Sequence, residues 1–139
     1  YKTKDKAVAF PITEVVTSNE FFDYDAKYNG QVDEITPARI PDKVRDAVQA
    51  MTLKIYDILG CKGIIRVDYI LTSLEDGTEC LQDGCAYSLE AKGMEINLLE
   101  VNTTPGMTAT SFIPQQVRAA GLNIGEVLSE IIEDTAERL

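Results

Sequence analysis

The strongest pattern of apolar and polar positions in the chain lies between Pro41 and Leu59. Val44, Val48, Met51, Ile55, Ile58 and Leu59 recur at three- and four-residue steps, the spacing that stacks side chains on one helical face. Pro41 suits a first helical position, Asp42 the first turn, and Gly60 a stop. A second stripe, Ile124, Val127, Leu128, Ile131 and Ile132, predicts a final helix. Asn123, with Glu126 three residues on, opens it in the manner of a capping box. A short helix is expected over 114–120, closed by Gly121. Strands are marked by alternation and β-branched residues. Residues 7–16 alternate loosely, with Pro11 interrupting them near an edge or bulge; 64–71 and 96–102 are shorter and cleaner. Residues 21–30 are aromatic, charged and aperiodic, a loop; 31–40, containing Pro37, read as an extended connector. Glu75-Asp76-Gly77 and Asp83-Gly84 read as turns. The order β, loop, α, β, β, α, α predicts an α+β fold, an antiparallel sheet with helices packed on one face.

The polar positions of two strands carry the chemistry. Side chains alternate faces along a strand, so Ile64, Arg66, Asp68 and Ile70 share one side of 64–71. By the same rule Ile96, Leu98, Glu100 and Asn102 share a side of 96–102. If the strands pair antiparallel, one register sets Ile70 opposite Leu98, Asp68 opposite Glu100, and Arg66 opposite Asn102. A one-residue slip would scatter the polar set across both faces. Two carboxylates about 5 Å apart at Cβ repel by roughly 3 kcal/mol at an effective dielectric near 20. A hard divalent cation would relieve this, and Asp, Glu and an Asn carbonyl are suitable oxygen ligands for Mg²⁺. Arg66 beside them could hold a phosphate oxygen. The plainer alternative is a salt bridge from Arg66 to both acids on a wet sheet face. After Asn102, the run Thr103-Thr104-Pro105-Gly106-Met107-Thr108 could offer N–H groups and hydroxyls to an anion, or serve only as a connector.

Composition narrows the choices. Of 139 residues, 45% are apolar and 26% charged, as in ordinary globular chains. The net charge of −10 argues against a general nucleic-acid surface, which would be basic. A nucleotide remains allowed, because a local cation can hold phosphates in an acidic protein. No apolar run approaches the ~20 residues that span a membrane, and no signal-peptide pattern is seen. The chain has no histidine, which removes His-based acid–base chemistry, Ser-His triads and most zinc sites. Cys61, Cys80 and Cys85 read as reduced cytosolic thiols. Cys80 and Cys85 alone would make a poor zinc site, and Cys61 reads as a small buried residue. A first residue Tyr1 that opens directly into strand-like sequence reads as the start of a fragment.

At this point a resemblance becomes specific. EVNTTPGMT at 100–108, with GCKGIIRVDY at 60–69 some thirty residues earlier, closely resembles the C-terminal signature of D-alanine–D-alanine ligases. DYDAKY at 23–28 resembles their mobile active-site loop. Three motifs in the family's order make the match specific, and it runs from about Ala9 to the last helix. The resemblance implies a single C-terminal ATP-grasp subdomain over 1–139, with the N-terminal domains absent. It also implies a cytoplasmic enzyme of peptidoglycan precursor synthesis, a homodimer at full length, that uses ATP and two Mg²⁺ ions, Mn²⁺ being an alternative, to join two D-alanines. Asp68, Glu100 and Asn102 are then expected to be metal ligands. Arg66 would stabilise the tetrahedral intermediate and the transferred phosphate, and Gly106 would donate its backbone N–H at the oxyanion position. Lys27 would contact the γ-phosphate, and Tyr28 would join the hydrogen-bond network that closes the site. Ser111 would bind the carboxylate of the second D-alanine, with Phe112 beside it.

The residues agree chemically with this. Joining a free carboxylate to an amine requires activation, which ATP supplies through an acyl phosphate. The protein then needs cations where charge develops and a lid against water, not a nucleophile. Taken singly, Lys27 reads as a solvated lysine, Tyr24 and Tyr28 as surface aromatics, and Ser111 as a helix-entry hydroxyl. There are departures from the family. Residues 73–95 are longer than the tight hairpin usual between these strands and are expected to point away from the site. Phe112 stands where leucine is common. The glycine-rich phosphate loop and the adenine-binding residues are expected to precede Tyr1. The alternatives are another ATP-grasp carboxylate–amine ligase, a D-alanyl-D-lactate ligase, which Tyr28 in place of a loop histidine disfavours, or a non-catalytic acidic module binding a cation or a partner.

Overall fold

The computed structural model describes residues 1–17, 32–73 and 94–138. The elements, in order, are β1 (Glu14–Thr17), β2 (Val32–Ile35), α1 (Asp42–Ile58), β3 (Arg66–Ser73), β4 (Met94–Asn102), α2 (Phe112–Ala119) and α3 (Ile124–Ala136). This is a mixed α+β architecture, as the order of elements predicts, but among the described residues with two antiparallel two-stranded sheets, β1–β2 and β3–β4, in place of one. The chain forms two compact units. One comprises Tyr1–Ala9, Ile40–Pro105 and Ile131–Leu139, the other Phe10–Arg39 and Gly106–Glu130.

In the first unit α1 buries Val44, Ala47, Val48 and Tyr56, and Tyr1, Ile64 and Ile65 are buried in the same unit. The expected apolar stripe holds over the first half of the helix and then runs out, since Ile58 is 72% exposed and Leu59 57%. Pro41 takes the N-cap position, one residue before the first helical residue. Gly60 ends the helix as expected. At φ 59° it adopts the left-handed conformation that a side chain disfavours. Its N–H donates to the Asp57 carbonyl, and that of Cys61 to the Tyr56 carbonyl, each at 3.0 Å, the paired bonds of a Schellman ending. Cys61 is half-buried, not buried. The helix meets β3 through Thr52 and Tyr69, whose hydroxyl oxygens are 2.8 Å apart, and Tyr56 donates to the Gly63 carbonyl at 3.0 Å.

In the second unit β1 and β2 pair with Glu14 opposite Ile35 and Val16 opposite Asp33. Two expectations change here. The first strand starts at Glu14, after Pro11, whose missing N–H cannot enter a ladder. The connector over 31–40 contains β2, a short strand that exists by pairing with β1. The helix expected over 114–120 begins earlier, at Phe112, with Pro114 inside its first turn. The first N–H groups of any helix lack intrahelical partners, so proline is tolerated there. Among the described residues of this unit Ile113, Pro114, Val117 and Val127 are buried, Val117 being 0% exposed. Asn123 caps α3 as expected, its Oδ1 accepting from the N–H groups of Gly125 at 2.8 Å and Glu126 at 3.3 Å. The α3 stripe is uneven: Val127 is buried, whereas Ile132 is 67% exposed. No described helix is long and apolar enough to cross a membrane. The loop over 21–30, the turns at 75–77 and 83–84, most of the hairpin expected over 73–95, and Cys80 and Cys85 lie outside the described residues.

Candidate functional site

Strands β3 and β4 place the polar set in the expected antiparallel register at its functional end. Arg66 pairs with Asn102, Val67 with Val101, and Asp68 with Glu100. Beyond that pair the register shifts. Tyr69 faces Leu98 and Ile70 faces Asn97, which leaves Leu99 as one extra residue on β4. Such a bulge reverses the alternation of everything before it on its strand. The expected pairing of Ile70 with Leu98 is therefore corrected, and Ile96 and Leu98 do not share a face with Glu100. They join Tyr69 and Leu71 on the α1 side. The opposite face carries Arg66, Asp68, Ile70 and Thr72 against Asn102, Glu100, Asn97 and Glu95. Side-chain bonds agree with this assignment: Thr72 donates to Glu95 at 3.3 Å, and Asn97 donates to Thr72 at 3.4 Å.

On this face the Arg66 guanidinium joins the two acids. Its Nε donates to Asp68 Oδ1 at 2.8 Å and its Nη2 to Asp68 Oδ2 at 3.0 Å, a bidentate fork. The same Nη2 donates to Glu100 Oε1 at 3.3 Å. The Arg66 side chain is 16% exposed, against 34% for Asp68 and 55% for Glu100, so the acids keep an open side. Asn102 Oδ1 accepts the Thr104 N–H at 3.0 Å, a local turn that fixes the amide and leaves the oxygen a second lone pair.

Could this face hold a divalent cation? Its donors are hard oxygens, two of them anionic, which suits Mg²⁺. Among the described residues no group of three His, Cys, Asp or Glu side chains could hold a metal. Two carboxylates and an amide fall short of a full coordination shell. They fit an ion shared with phosphate oxygens, the ordinary protein environment of Mg²⁺.

A second cluster lies in the second unit, at the entry to α2. Ser111 occupies the N-cap position, yet its side chain makes no capping bond. Its Oγ lies 2.7 Å from Thr108 Oγ1. Gly106 approaches closely, since a Cβ added there would stand 2.9 Å from Ser111 Oγ. Phe112 is the first helical residue and half-buried. Thus Arg66, Asp68, Glu100 and Asn102 come together on one sheet face, and Gly106 and Ser111 come together in one turn. Lys27 and Tyr28 lie outside the described residues. Thr108, one of the hydroxyls of the Thr103–Thr108 run, is the one that meets Ser111.

A family profile described as "D-ala D-ala ligase C-terminus" matches residues 2–83 and 86–133. The chain is 65% identical over 134 residues to a D-alanine–D-alanine ligase of Bacteroides fragilis, and 66% over the same length to that of Bacteroides thetaiotaomicron. Each match covers 96% of this chain and 36% of the relative, so the chain spans about a third of the length of these relatives. Among solved structures, the D-alanine–D-alanine ligase of Bacillus anthracis aligns with TM-score 0.61 at 30% identity, over 92% of this chain and 36% of that one. The same enzyme complexed with ATP aligns equally well.

Proposed function

The chain belongs to the D-ala D-ala ligase C-terminus family, and from that premise we propose that it supplies part of an active site for ATP-dependent joining of two D-alanines through a D-alanyl phosphate. The product serves peptidoglycan precursor synthesis in the cytoplasm, and the whole enzyme acts as a homodimer. The observation that carries the reading is the family match over residues 2–83 and 86–133 together with Asp68, Glu100 and Asn102 on one open sheet face; the Arg66 fork is compatible with it and with a plain salt bridge alike.

Each residue has a role in this reading. Asp68, Glu100 and Asn102 would hold two Mg²⁺ ions, or Mn²⁺ in their place; when bound, the ions would neutralise phosphate charge. Arg66 is permanently cationic and planar. It stands ready to exchange a carboxylate partner for a phosphoryl or tetrahedral oxygen as negative charge develops, which is where preorganised donors count most. Gly106 offers its backbone N–H to the oxyanion. Ser111 donates to the carboxylate of the acceptor D-alanine, with Phe112 beside it. Lys27 contacts the γ-phosphate, and Tyr28 closes the network over the site. No step asks for a nucleophilic side chain, which agrees with a chain that has no histidine.

The test is turnover of a protein of the relatives' full length that carries this chain, assayed with ATP, Mg²⁺ and D-alanine for phosphate and dipeptide. Glu100→Ala is expected to abolish Mg²⁺-dependent turnover while the melting curve stays near that of the parent, since a half-exposed side chain leaves no cavity. Retained turnover in Glu100→Ala would refute the metal-ligand role.

A further inference from the structure

In the second unit the hydroxyl oxygens of Thr108 and Ser111 lie 2.7 Å apart. The Ser111 N–H also donates to the Thr108 carbonyl at 2.9 Å, so the two residues are tied through backbone and side chain alike. Ser111 sits where an N-cap serine normally turns its oxygen onto the helix, and it makes no such bond. Its hydroxyl is turned toward Thr108 instead. Gly106 bounds it on another side, because a Cβ at that position would come within 2.9 Å of Ser111 Oγ.

A hydroxyl carries one proton and two lone pairs. In the Thr108–Ser111 pair either oxygen could donate. An ionised carboxylate only accepts. For Ser111 to donate to a carboxylate it must accept from its neighbour, and Thr108 is the neighbour within reach. Thr108 O–H to Ser111 O–H to carboxylate is then a one-way chain in which each bond polarises the next. Without the Thr108 hydroxyl, Ser111 is free to take another staggered rotamer, including one that accepts from the Ile113 N–H, since Pro114 at the third helical position has none to offer.

We propose that Thr108 is a positioning residue for the acceptor amino acid: its hydroxyl sets the rotamer and the donor direction of Ser111 and does not itself touch substrate. This rests on the reading of Ser111 as the group that binds the acceptor carboxylate. Valine at 108 would keep the shape and the backbone bond and remove only the hydroxyl, so a purely structural role of the turn would be preserved.

The experiment is steady-state kinetics at saturating Mg-ATP, with D-alanine titrated as acceptor, in a protein of the relatives' full length carrying this chain. Thr108→Val is expected to raise the KM for the acceptor about 2- to 10-fold, the range set by one net hydrogen bond, with kcat and the KM for ATP unchanged. Thr108→Ser is expected to restore the parent KM. Ser111→Ala should raise the acceptor KM by itself, and Thr108→Val should add nothing on top of it. If Ser111→Ala raises the KM and Thr108→Val does not, Thr108 has no positioning role while the reading of Ser111 stands. An effect of Thr108→Val that persists in the Ser111→Ala background also overturns the proposal. If Ser111→Ala leaves the acceptor KM unchanged, the reading of Ser111 falls and the proposal falls with it.

Discussion

Arg66 decides how the acidic face can exist without a metal. Asp68 and Glu100 are directly opposed, and two charges at that spacing repel by roughly 3 kcal/mol at an effective dielectric near 20. One guanidinium reaches both, with two bonds to Asp68 and one to Glu100. A lysine could not reproduce this, since an ammonium is a point charge without the planar fork. Arg66→Lys therefore separates the plain salt bridge from the chemical role. Lysine keeps the positive charge but loses part of a fork whose arginine side chain is only 16% exposed, so stability in a urea titration is expected to fall by about 1–2 kcal/mol. Turnover of the full-length enzyme is expected to fall on the order of 100-fold or more, as when a preorganised donor is lost from a transition state. A small stability loss with unchanged turnover would leave Arg66 as a salt bridge only.

At the scale of elements, two devices set the geometry. The bulge at Leu99 lets β4 turn Leu98 and Ile96 toward the α1 side while Glu100 and Asn102 stay on the open face. A regular strand would have carried Leu98 onto the polar face beside Glu100. The glycine ending of α1 is the second device, and α2 ends the same way at Gly121. Gly60 has open space around a would-be Cβ, so the cost of a side chain there is conformational and not steric crowding by neighbours. Gly60→Ala is expected to lower stability by about 1–2 kcal/mol, the cost of placing an L side chain in the left-handed region. Chemical denaturation would measure it, and a change near zero would mean that the helix end re-forms without the Schellman bonds.

Across the whole molecule, titration is expected to weaken the fold at both ends of the pH scale. Burial is the main reason that the phenols of Tyr56 and Tyr69 titrate above their ordinary range. The folded state then keeps protons that the unfolded chain releases, so stability is full below about pH 10 and declines as the pH rises beyond it. Glu14 is held below the ordinary carboxylate range chiefly by its hydrogen bonds from Arg39, and Asp134 chiefly by the backbone N–H of Lys4. There the unfolded chain takes up protons first, so the contribution is full above about pH 4 and is lost as the pH falls through the depressed values. Equilibrium unfolding followed from pH 3 to 11 would check both limbs.

Spacing along the chain was enough to locate α1, β3, β4 and α3, to end α1 at Gly60 and to cap α3 with Asn123, because those features depend on residues a few positions apart. It was also enough to oppose Asp68 to Glu100, since only one register sets polar against polar. Tertiary structure decided the rest. The three apolar residues before Glu100, Asn97 aside, give alternation no means of showing which of them is the extra one, so the bulge at Leu99 is visible only once β4 is paired. Strand β2 has little signal of its own and forms through hydrogen bonds to β1. Exposure of Ile58, Leu59 and Ile132 depends on what lies across from them, which helical periodicity does not encode. The Ser111 hydroxyl faces Thr108 and makes no capping bond on α2, where Pro114 at the third helical position has no N–H to offer, and the close approach of Gly106 is a matter of three-dimensional placement.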